Sequence, residues 1–317
     1  MTERPTDHQP TPEQQHRAGF ACLVGRPNAG KSTLTNALVG AKIAIMSEKP
    51  QTTRHTVRGI VHRDDAQLVL VDTPGLHKPR TLLGSRLNDL VRSTWDEVDV
   101  VGMCLPANEK IGPGDRFIAA ELAKLRRRPK VALVTKVDLV GRERVPEQLL
   151  AVQRLAVDCG FEWAQIVPVS AVSRFQVDVV ADVLVSHLPL SPPLYPEGEL
   201  TDEPEQIMVA ELIREAALEG VRDELPHSLA VVVEEMIPRP DRPEDRPLLD
   251  IHANVFVERS SQKAIVIGTR GQRLKDVGSR ARRQIEALLG TPVYLDLHVK
   301  VSKDWQRDPK QLRRLGF

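Results

Sequence analysis

One glycine-rich segment of the sequence has residue types and spacing that could bind phosphate. It matches the pattern GxxxxGK[ST] and consists of Gly25, Arg26, Pro27, Asn28, Ala29, Gly30, Lys31 and Ser32. Glycines let backbone N–H groups converge on phosphate oxygens, and a following helix start adds partial positive charge. Lys31 would neutralise the β- and γ-phosphates of a nucleotide, and the Ser32 hydroxyl would bind Mg²⁺. A plain glycine turn is the alternative, but the apolar run before the segment and the helical spacing after it favour a phosphate-binding loop.

A second segment whose residues could take part in nucleotide chemistry follows the apolar run 68–71. It consists of Asp72, Thr73, Pro74 and Gly75. A carboxylate at the end of a buried strand is costly unless it faces a cation or hydrogen-bond donors. Mg²⁺ would satisfy Asp72 through water, and the backbone N–H of Gly75 could donate to a γ-phosphate. The turn could therefore sense whether that phosphate is present.

A third segment, Thr135, Lys136, Val137 and Asp138, ends another apolar run. The Asp138 carboxylate can accept two hydrogen bonds from guanine, one from N1–H and one from the exocyclic amine. Adenine presents an acceptor at N1, so the carboxylate would be left unpaired against it at considerable cost. Asp138 therefore predicts guanine specificity, and Ser170 and Ala171 form the remaining loop that could close over the base.

Together these segments resemble the G1, G3, G4 and G5 elements of translation-factor-class GTPases. The segment 49–55, KPQTTRH, resembles the first switch of the Era family. The resemblance implies GTP, GDP and Mg²⁺ as ligands, with Thr53, or Thr52 as second choice, completing the Mg²⁺ shell in the triphosphate state. The implied Mg²⁺ ligands are Ser32, Thr53 and Asp72. The implied nucleotide contacts come from residues 25–32, from Asp72, Thr73, Pro74 and Gly75, from Thr135, Lys136 and Asp138, and from Ser170 and Ala171.

Two departures from the family pattern change what is expected of the base site. The usual NKxD is TKVD here, so Thr135 lacks the amide that contacts guanine and ties this segment to the phosphate loop. The usual SAxxG has Arg174 in place of its glycine, which leaves the conformation of that loop open. We expect weaker nucleotide binding, with the specificity conferred by Asp138 preserved.

Intrinsic catalysis is expected to be slow. Ras-like proteins carry a water-orienting glutamine just after DxxG, whereas this sequence has the apolar Leu76. Positioning and charge stabilisation supply nearly all of the acceleration in phosphoryl transfer. Asn28 resembles the asparagine with which some related GTPases hold K⁺ beside the phosphates, and a simple turn residue is the alternative. The predicted catalytic residues are Lys31, Asn28, Thr53 and Gly75.

A second glycine-rich turn, Gly268, Thr269, Arg270 and Gly271, lies nearer the C-terminal end. The apolar run 264–267 predicts a strand before it, and apolar residues at helical spacing predict an amphipathic helix after it. Such a turn lets the backbone approach nucleic-acid phosphates, and the helix start favours anions. The surrounding basic residues, opposed by Asp276, are Arg270, Arg273, Lys275, Arg280, Arg282 and Arg283. The combination favours RNA binding over a plain turn beside a solvated helix.

Hydrophobic patterning assigns these motifs to two folded modules. In residues 18–188, β-branched runs alternate with helical stretches, which predicts an α/β P-loop domain with a mostly parallel sheet and helices on both faces. Residues 205–317 predict a compact α+β module that resembles a type II KH domain, and the segments 298–305 and 312–317 resemble the C-terminal end of the Era family. Residues 189–204, rich in proline, predict a linker, and residues 1–17 predict a disordered tail.

Charge is unevenly distributed although the net charge is +1. Residues 1–150 carry 23 Lys and Arg against 17 Asp and Glu, residues 151–250 carry 7 against 20, and residues 251–317 carry 14 against 6. The two basic blocks fit two polyanion-binding surfaces. Within this acidic middle, residues 197–250 are either a solvated linker and helix surface, or a surface that repels RNA from the wrong face or docks on the basic face in one nucleotide state.

Composition disfavours several classes of protein. The N-terminal residues lack the apolar region of a secretory signal, and no apolar run approaches the ~20 residues of a membrane span. Cys22, Cys104 and Cys159 are too widely spaced for a disulfide framework or a zinc site, so a reducing cytoplasm is expected. Peripheral contact with the inner face of the cell membrane, reported for the family, could come only from basic patches.

The resemblance to the Era family implies a monomeric molecular switch that hydrolyses GTP. It implies binding to 16S rRNA near its 3′ end and a role in 16S rRNA processing and 30S ribosomal subunit biogenesis. Two alternatives stay open: another ribosome-assembly GTPase with a degenerate KH-like domain, and a non-catalytic RNA-binding protein that senses nucleotide. An ATP-dependent kinase is disfavoured by Asp138.

Overall fold

The computed structural model describes residues 16–46, 56–76, 81–221, 225–240, 242–243 and 246–317, which form two modules. The strands of the first module are β1 Arg17–Val24, β2 Val57–His62, β3 Ala66–Asp72, β4 Val100–Pro106, β5 Lys130–Thr135 and β6 Gln165–Pro168. Its helices are α1 Lys31–Val39, α2 Leu82–Glu97, α3 Pro113–Ala123, α4 Arg144–Cys159 and α5 Val177–Ser186. Strand β1 begins one residue before the predicted domain start, and the domain boundaries otherwise stay predictions.

The six strands form one sheet in the order β2-β3-β1-β4-β5-β6. Strand β2 runs antiparallel to β3, and the other neighbouring pairs are parallel. Helices α1 and α5 cover one face and α2, α3 and α4 cover the other, so β3 and β4 are buried along their whole length. Parallel strands place their C-terminal ends at one edge of the sheet, so the loops after β1, β3, β5 and β6 meet there. The predicted mostly parallel sheet is confirmed.

The proline-rich segment 189–204 forms no helix or strand, yet it lies against the sheet. The Gln67 side chain accepts from the backbone N–H groups of Leu194 (2.6 Å) and Tyr195 (2.9 Å) and donates to the carbonyl of Tyr195 (2.9 Å). The N–H of Ile60 on β2 donates to the carbonyl of Leu200 at 2.9 Å. The segment therefore covers part of an edge strand whose backbone groups would otherwise be open.

The second module contains a three-stranded sheet with helices packed against it. Its strands are β7 Ala230–Pro238, β8 Leu249–Val257 and β9 Val293–Val301, and its helices are α6 Glu205–Leu218, α7 Leu225–Ser228, α8 Ser260–Ile267, α9 Gln272–Leu289 and α10 Pro309–Arg314. Strand β8 is central, antiparallel to β7 and parallel to β9. Val277, Ala281 and Ile285 form the buried stripe of α9, as their spacing predicts, and pack in a shared core with α6.

The two modules share buried contacts. Leu83 and Leu87 of α2 pack in an apolar cluster with Phe256, Trp305 and Leu312 of the second module. Ile45, just after α1, belongs to the core cluster of the second module and is 5% exposed. In the part of the chain that the structure describes, no helix is both long and apolar enough to span a bilayer.

Candidate functional site

The glycine-rich loop connects β1 to α1, as predicted, and surrounds the Lys31 side chain. Lys31 is 7% exposed, and its Nζ donates to the carbonyl oxygens of Gly25 (3.3 Å) and Arg26 (3.1 Å). Burial lowers the pKa of Lys31, and the nearby Asp72 carboxylate partly offsets that effect. A buried ammonium at a helix start, held by the loop before it, is well placed to meet phosphate oxygens.

Ser32 and Asp72, two of the three predicted Mg²⁺ ligands, lie next to each other. Ser32 Oγ donates to Asp72 Oδ2 at 2.7 Å, and Asp72 is fully buried at the end of β3. Two adjacent oxygen ligands fit Mg²⁺, which prefers hard oxygen donors. The third predicted ligand, Thr53, and its alternative Thr52 lie outside the described residues.

The turn after Asp72 packs closely on the phosphate loop. Thr73 Oγ1 donates to the carbonyl of Leu23 on β1 at 3.1 Å. A Cβ at Gly75 would lie 3.1 Å from the backbone nitrogen of Pro27, so a side chain there would crowd the phosphate loop. Leu76 is 4% exposed and packs in the apolar cluster that contains Trp95. Its side chain is therefore part of the core and cannot orient a water molecule.

Thr135 contacts the phosphate loop in spite of lacking an amide. Its hydroxyl donates to the carbonyl of Ala29 at 2.7 Å, and Thr135 is 4% exposed. The expectation that this segment loses its tie to the phosphate loop is therefore wrong. The end of β5 lies so close to the loop that the short hydroxyl reaches the carbonyl of Ala29.

Asp138 lies in a 3₁₀ turn, Val137–Leu139, directly after β5. Lys136 begins this turn in the left-handed conformation, with φ of 58°. Asp138 is exposed, and within the described residues its carboxylate forms no hydrogen bond or ion pair. The carboxylate is therefore available to the N–H groups of a guanine at this edge of the sheet.

The loop after β6 is held by local hydrogen bonds although it lacks the usual glycine. Ser170 is fully buried, its Oγ accepts from the N–H of Ser173 at 3.1 Å, and its own N–H donates to the carbonyl of Phe175 at 3.0 Å. Arg174, at the position of the family glycine, has a φ of 58°. The left-handed conformation explains why glycine is usual there, and an arginine adopts it at a cost of about 1–2 kcal/mol.

Two further side chains of the phosphate loop differ in their surroundings. Asn28 is exposed in the left-handed conformation, with φ of 63°, which suits a turn residue and leaves the K⁺ role a prediction. Arg26 pairs with Asp115 at 2.7 Å and with Glu109 at 3.0 Å. Asp115 is 1% exposed and also accepts from the N–H of Gly112 at 2.8 Å. Arg26 thus fastens the loop to the start of α3, a role that sequence spacing did not reveal.

The second glycine-rich turn joins two helices, so the strand predicted before it is wrong. The apolar run 264–267 is the second half of helix α8, whose start is stabilised by the buried Gln262 side chain. Gln262 Oε1 accepts from the N–H groups of Glu258 (2.9 Å) and Arg259 (3.0 Å). A four-residue apolar run fits a strand or a helix equally well, and the capping contacts of Gln262 favour the helix.

The turn itself has the geometry of a backbone-binding loop. Gly268 has a φ of 73°, and a Cβ there would lie 2.6 Å from the Cβ of Arg273. Gly271 has a φ of 78° and precedes α9 without a side-chain cap. Thr269 and Arg270 between them are exposed. The N–H groups at the start of α9 therefore adjoin an exposed basic turn, a combination that favours an anion.

The predicted basic RNA residues separate into two groups. Arg273 Nη2 donates to the carbonyls of Ala217 (3.2 Å) and Glu219 (2.9 Å), and Arg280 pairs with Glu219 at 2.5 Å. These two arginines stabilise the C-terminal end of α6, where cations are favoured. The exposed group is Arg270, Lys275, Arg282 and Arg283. We expect the exposed group to supply the RNA contacts.

Much of the acidic middle is engaged in specific pairs instead of being solvated. Glu215 is 6% exposed; its Oε2 accepts from Lys42 Nζ at 2.5 Å and its Oε1 from the N–H of Met46 at 2.9 Å. Asp202 pairs with Arg58 of β2 at 3.0 Å. The acidic stretch therefore connects the two modules. Whether its contacts depend on nucleotide stays a prediction.

Comparisons with known proteins agree with this geometry. A family model described as a 50S ribosome-binding GTPase matches residues 20–136, and a KH domain model matches residues 224–306. The chain is 73% identical over 317 residues to the GTPase Era of Streptomyces coelicolor, covering 100% of both chains. It is 65% identical over 304 residues to the GTPase Era of Mycobacterium avium, covering 96% of this chain and 99% of the relative.

Solved structures match both modules at once. One is a crystal structure of Era in complex with MgGDPNP and nucleotides 1506–1542 of 16S ribosomal RNA, with a TM-score of 0.89 and 36% identity over 95% of this chain and 99% of that chain. Another is an Aquifex aeolicus Era variant bound to GDP and AlF4⁻, with a TM-score of 0.89 and 35% identity over the same shares. With this similarity along its length, the chain belongs to the Era family of GTPases.

Proposed function

We propose that this GTPase is a switch that binds 16S rRNA near its 3′ end and acts in 16S rRNA processing and 30S subunit biogenesis. The observation that carries the proposal is the match to an Era protein whose crystal structure contains MgGDPNP and nucleotides 1506–1542 of 16S rRNA. A TM-score of 0.89 over 95% of this chain requires a similar placement of the two modules. The phosphate loop and the GxxG turn of this chain thus have counterparts in one ligand-bound molecule.

In the proposed reaction, GTP lies across the edge of the first sheet. Lys31 and the loop N–H groups hold the β- and γ-phosphates, and the N–H of Gly75 donates to the γ-phosphate. Asp138 selects the guanine base. The contact between Thr135 and Ala29 keeps the base-binding and phosphate-binding loops in register, because it joins the end of β5 to the loop after β1.

Metal ions would complete the charge balance of this site. Ser32 and Asp72 would hold Mg²⁺, which neutralises charge that develops on the phosphate oxygens during transfer. Asn28 is proposed as a K⁺ ligand that substitutes for an arginine finger. Since Leu76 is buried, no side chain at that position orients the attacking water, and hydrolysis should depend on the cation and on a partner.

The RNA contact is proposed to form at the turn 268–271. The missing side chains at Gly268 and Gly271 let the RNA backbone approach the α9 start, and the exposed basic residues of α9 neutralise phosphates. The chain would act as a monomer on the small subunit in the cytoplasm. Peripheral contact with the inner face of the cell membrane is a further proposal, which exposed basic surfaces would support.

Crosslinking in cells tests the RNA assignment. The protein is crosslinked to RNA, and the attached RNA is sequenced. We expect enrichment of the 3′ end of 16S rRNA, loss of that enrichment in Thr269→Asp/Arg270→Asp, and its retention in Thr269→Ser/Arg270→Lys. Enrichment of an unrelated RNA would refute the proposal.

Single-turnover hydrolysis tests the switch and its cation. We expect phosphate release to accelerate when 30S subunits are added, and to be faster in KCl than in NaCl. Asn28→Ala should remove the difference between the two salts. Equal rates in both salts for the unmodified protein would exclude the K⁺ role, and unchanged rates with 30S subunits would contradict stimulation by the partner.

A further inference from the structure

The segment 124–130, which joins α3 to β5 and includes the first residue of β5, carries five cations and no carboxylate: Lys124, Arg126, Arg127, Arg128 and Lys130. Together with the loop before β6 it lines an open, concave surface that encloses a volume of about 970 Å³. We call this surface, formed by residues 123–130 and 159–164, the basic groove. Among its lining residues, all within the described part of the chain, Glu162 alone is acidic.

The cations of the basic groove are poorly neutralised by the protein itself. Arg126 and Arg127 are exposed and form no ion pair with any residue that the structure describes. Arg128 donates to the backbone carbonyl of Asp96 at 2.9 Å, which leaves its charge unbalanced. Lys124 pairs with Glu121 at the rim. Two or three guanidinium groups are therefore available to an external anion.

Lys130 makes the charge imbalance more costly because it is 7% exposed. Its Nζ donates to the carbonyls of Leu125 (2.5 Å) and Arg128 (3.0 Å) and lies 5.8 Å from the centre of the Phe161 ring. These contacts supply dipoles and a π face but no carboxylate. A buried ammonium beside uncompensated guanidinium groups gains stability when an anion enters the groove.

The basic groove is distant from the nucleotide loops. It lies at the N-terminal ends of β5 and β6, whereas Thr135 ends β5 and Ser170 follows β6 at the other edge of the sheet. Strand β5 has six residues, so the two edges are about 20 Å apart. An anion in the groove would not compete with GTP, and it would lie on a different module from the GxxG turn.

We infer that the basic groove binds the phosphate backbone of a second segment of ribosomal RNA, on the small subunit that the proposed function assigns to this protein. Arginine forks match phosphate oxygens in a bidentate manner, and a concave surface fits a protruding RNA backbone. A bilayer surface fits this groove less well, because basic charge alone binds a membrane weakly and stronger peripheral binding adds apolar side chains that enter the lipid. Here Trp163 is 8% exposed and Phe161 lies beneath Lys130.

Full-length protein with the exchange Arg126→Glu/Arg127→Glu tests the inference, and Arg126→Lys/Arg127→Lys is the matched control. Binding is measured against salt concentration for 30S subunits and for a short RNA with nucleotides 1506–1542 of 16S rRNA. We expect the Glu pair to weaken 30S binding by about 10–100-fold and to reduce the salt slope by about 2, since each phosphate contact contributes about 0.9. The Lys pair should bind 30S like the unmodified protein. Affinities for the short RNA and for GTP should be unchanged in both variants.

Four other outcomes would contradict the inference, and each has a different cause. Unchanged 30S affinity in the Glu pair would show that the groove does not contact RNA. Loss of binding to phosphatidylglycerol vesicles, with 30S binding intact, would identify the groove as a membrane surface. Loss of short-RNA binding in the Glu pair would show that the groove is no separate site. If the unmodified protein bound neither 30S subunits nor the short RNA, the proposed function itself would fail.

Discussion

Replacement of Glu215 by glutamine should loosen the contact between the two modules beside the predicted first switch. The Glu215 carboxylate lies on α6 and holds both Lys42 and the N–H of Met46. Lys42 Nζ also donates to Gln284 Oε1 of α9 at 3.0 Å. Met46 precedes the segment 49–55 by three residues. One buried carboxylate thus links the approach to the switch with the RNA-binding helix.

The size of the effect follows from what glutamine retains. Its amide oxygen has the volume and position to accept one of the two hydrogen bonds, and Lys42 keeps Gln284 as a partner. The bond that the amide oxygen keeps, from the Met46 N–H, loses its charge assistance, about 1 kcal/mol. The bond from Lys42 is lost because the new NH2 group cannot accept it, and this costs about 1 kcal/mol more since Lys42 can turn to Gln284 and water. Partial exposure of Lys42, whose side chain is 35% exposed, reduces its share. We expect a loss of about 1.5–2 kcal/mol in the free energy that keeps this contact closed.

Hydrogen exchange of the backbone amides at residues 43–46 measures this contact directly. A loss of about 1.5–2 kcal/mol corresponds to roughly 10–30-fold faster exchange, since about 1.4 kcal/mol is a factor of ten. Glu205→Gln is the matched control: Glu205 is exposed in the first turn of the same helix, and its replacement should leave the exchange rates unchanged. RNA affinity is then compared between the GDP and GTP-analogue forms, and the difference should shrink in Glu215→Gln.

Two results would refute this reasoning. If residues 43–46 exchanged at the same rate in Glu215→Gln and in the unmodified protein, the carboxylate would not hold the contact. If exchange accelerated while the affinity difference between GDP and GTP-analogue forms stayed the same, the contact would not transmit the nucleotide state.

Three further predictions concern single residues. Asp138→Asn should lower GTP affinity about 100-fold and improve binding of xanthosine nucleotides, whose exocyclic oxygen accepts from the new amide. A binding titration that gave the same GTP affinity for the variant and the unmodified protein would contradict this. Arg174→Gly should relieve the strain of the left-handed conformation at φ 58°, although the greater chain entropy of glycine in the unfolded state offsets part of this gain. We expect the melting temperature to rise by about 1–3 °C. A lower melting temperature would show that contacts of the arginine side chain outweigh the strain. Trp305→Ala should lower the free energy of unfolding by about 3–5 kcal/mol, measured by denaturant unfolding. Trp305 is fully buried, its ring centre lies 5.7 Å from that of Phe317, and it donates to the carbonyl of Ser228 at 3.0 Å. A change below about 1 kcal/mol would contradict its place in the core.

The sequence predicts well those parts of the site that one short segment determines. The loop 25–32 has its glycines, lysine and serine in one continuous pattern, and the strand before and helix after it follow from local hydrophobicity. The pairing of Ser32 with Asp72 also follows, because two parallel strands separated by a crossover must end at the same edge. Such inferences need topology but no side-chain packing.

Contacts between distant segments could not be predicted from the pattern. In the sequence, Thr135 lacks the amide with which the usual asparagine contacts the phosphate loop. Only the closeness of β5 to that loop shows that the Thr135 hydroxyl is long enough to make such a contact. Arg273 and Arg280 look like RNA ligands in sequence, yet the end of α6 lies within reach of both. The strand predicted at 264–267 failed because four apolar residues do not define a period. Tertiary neighbours decide all of these cases.

Two of the contacts between the modules lie close in sequence to the segments expected to sense the nucleotide. Ile45 and Met46 lie immediately before the segment that resembles the first switch, and they attach to the core of the second module and to Glu215. Helix α2, whose Leu83 and Leu87 hold Trp305, follows the Asp72–Gly75 turn by a few residues. Each of the chain segments expected to sense the γ-phosphate therefore lies next to an anchor of the RNA-binding module. A rearrangement at either segment would act on the second module through short, packed connections, so coupling between GTP and RNA requires no long pathway.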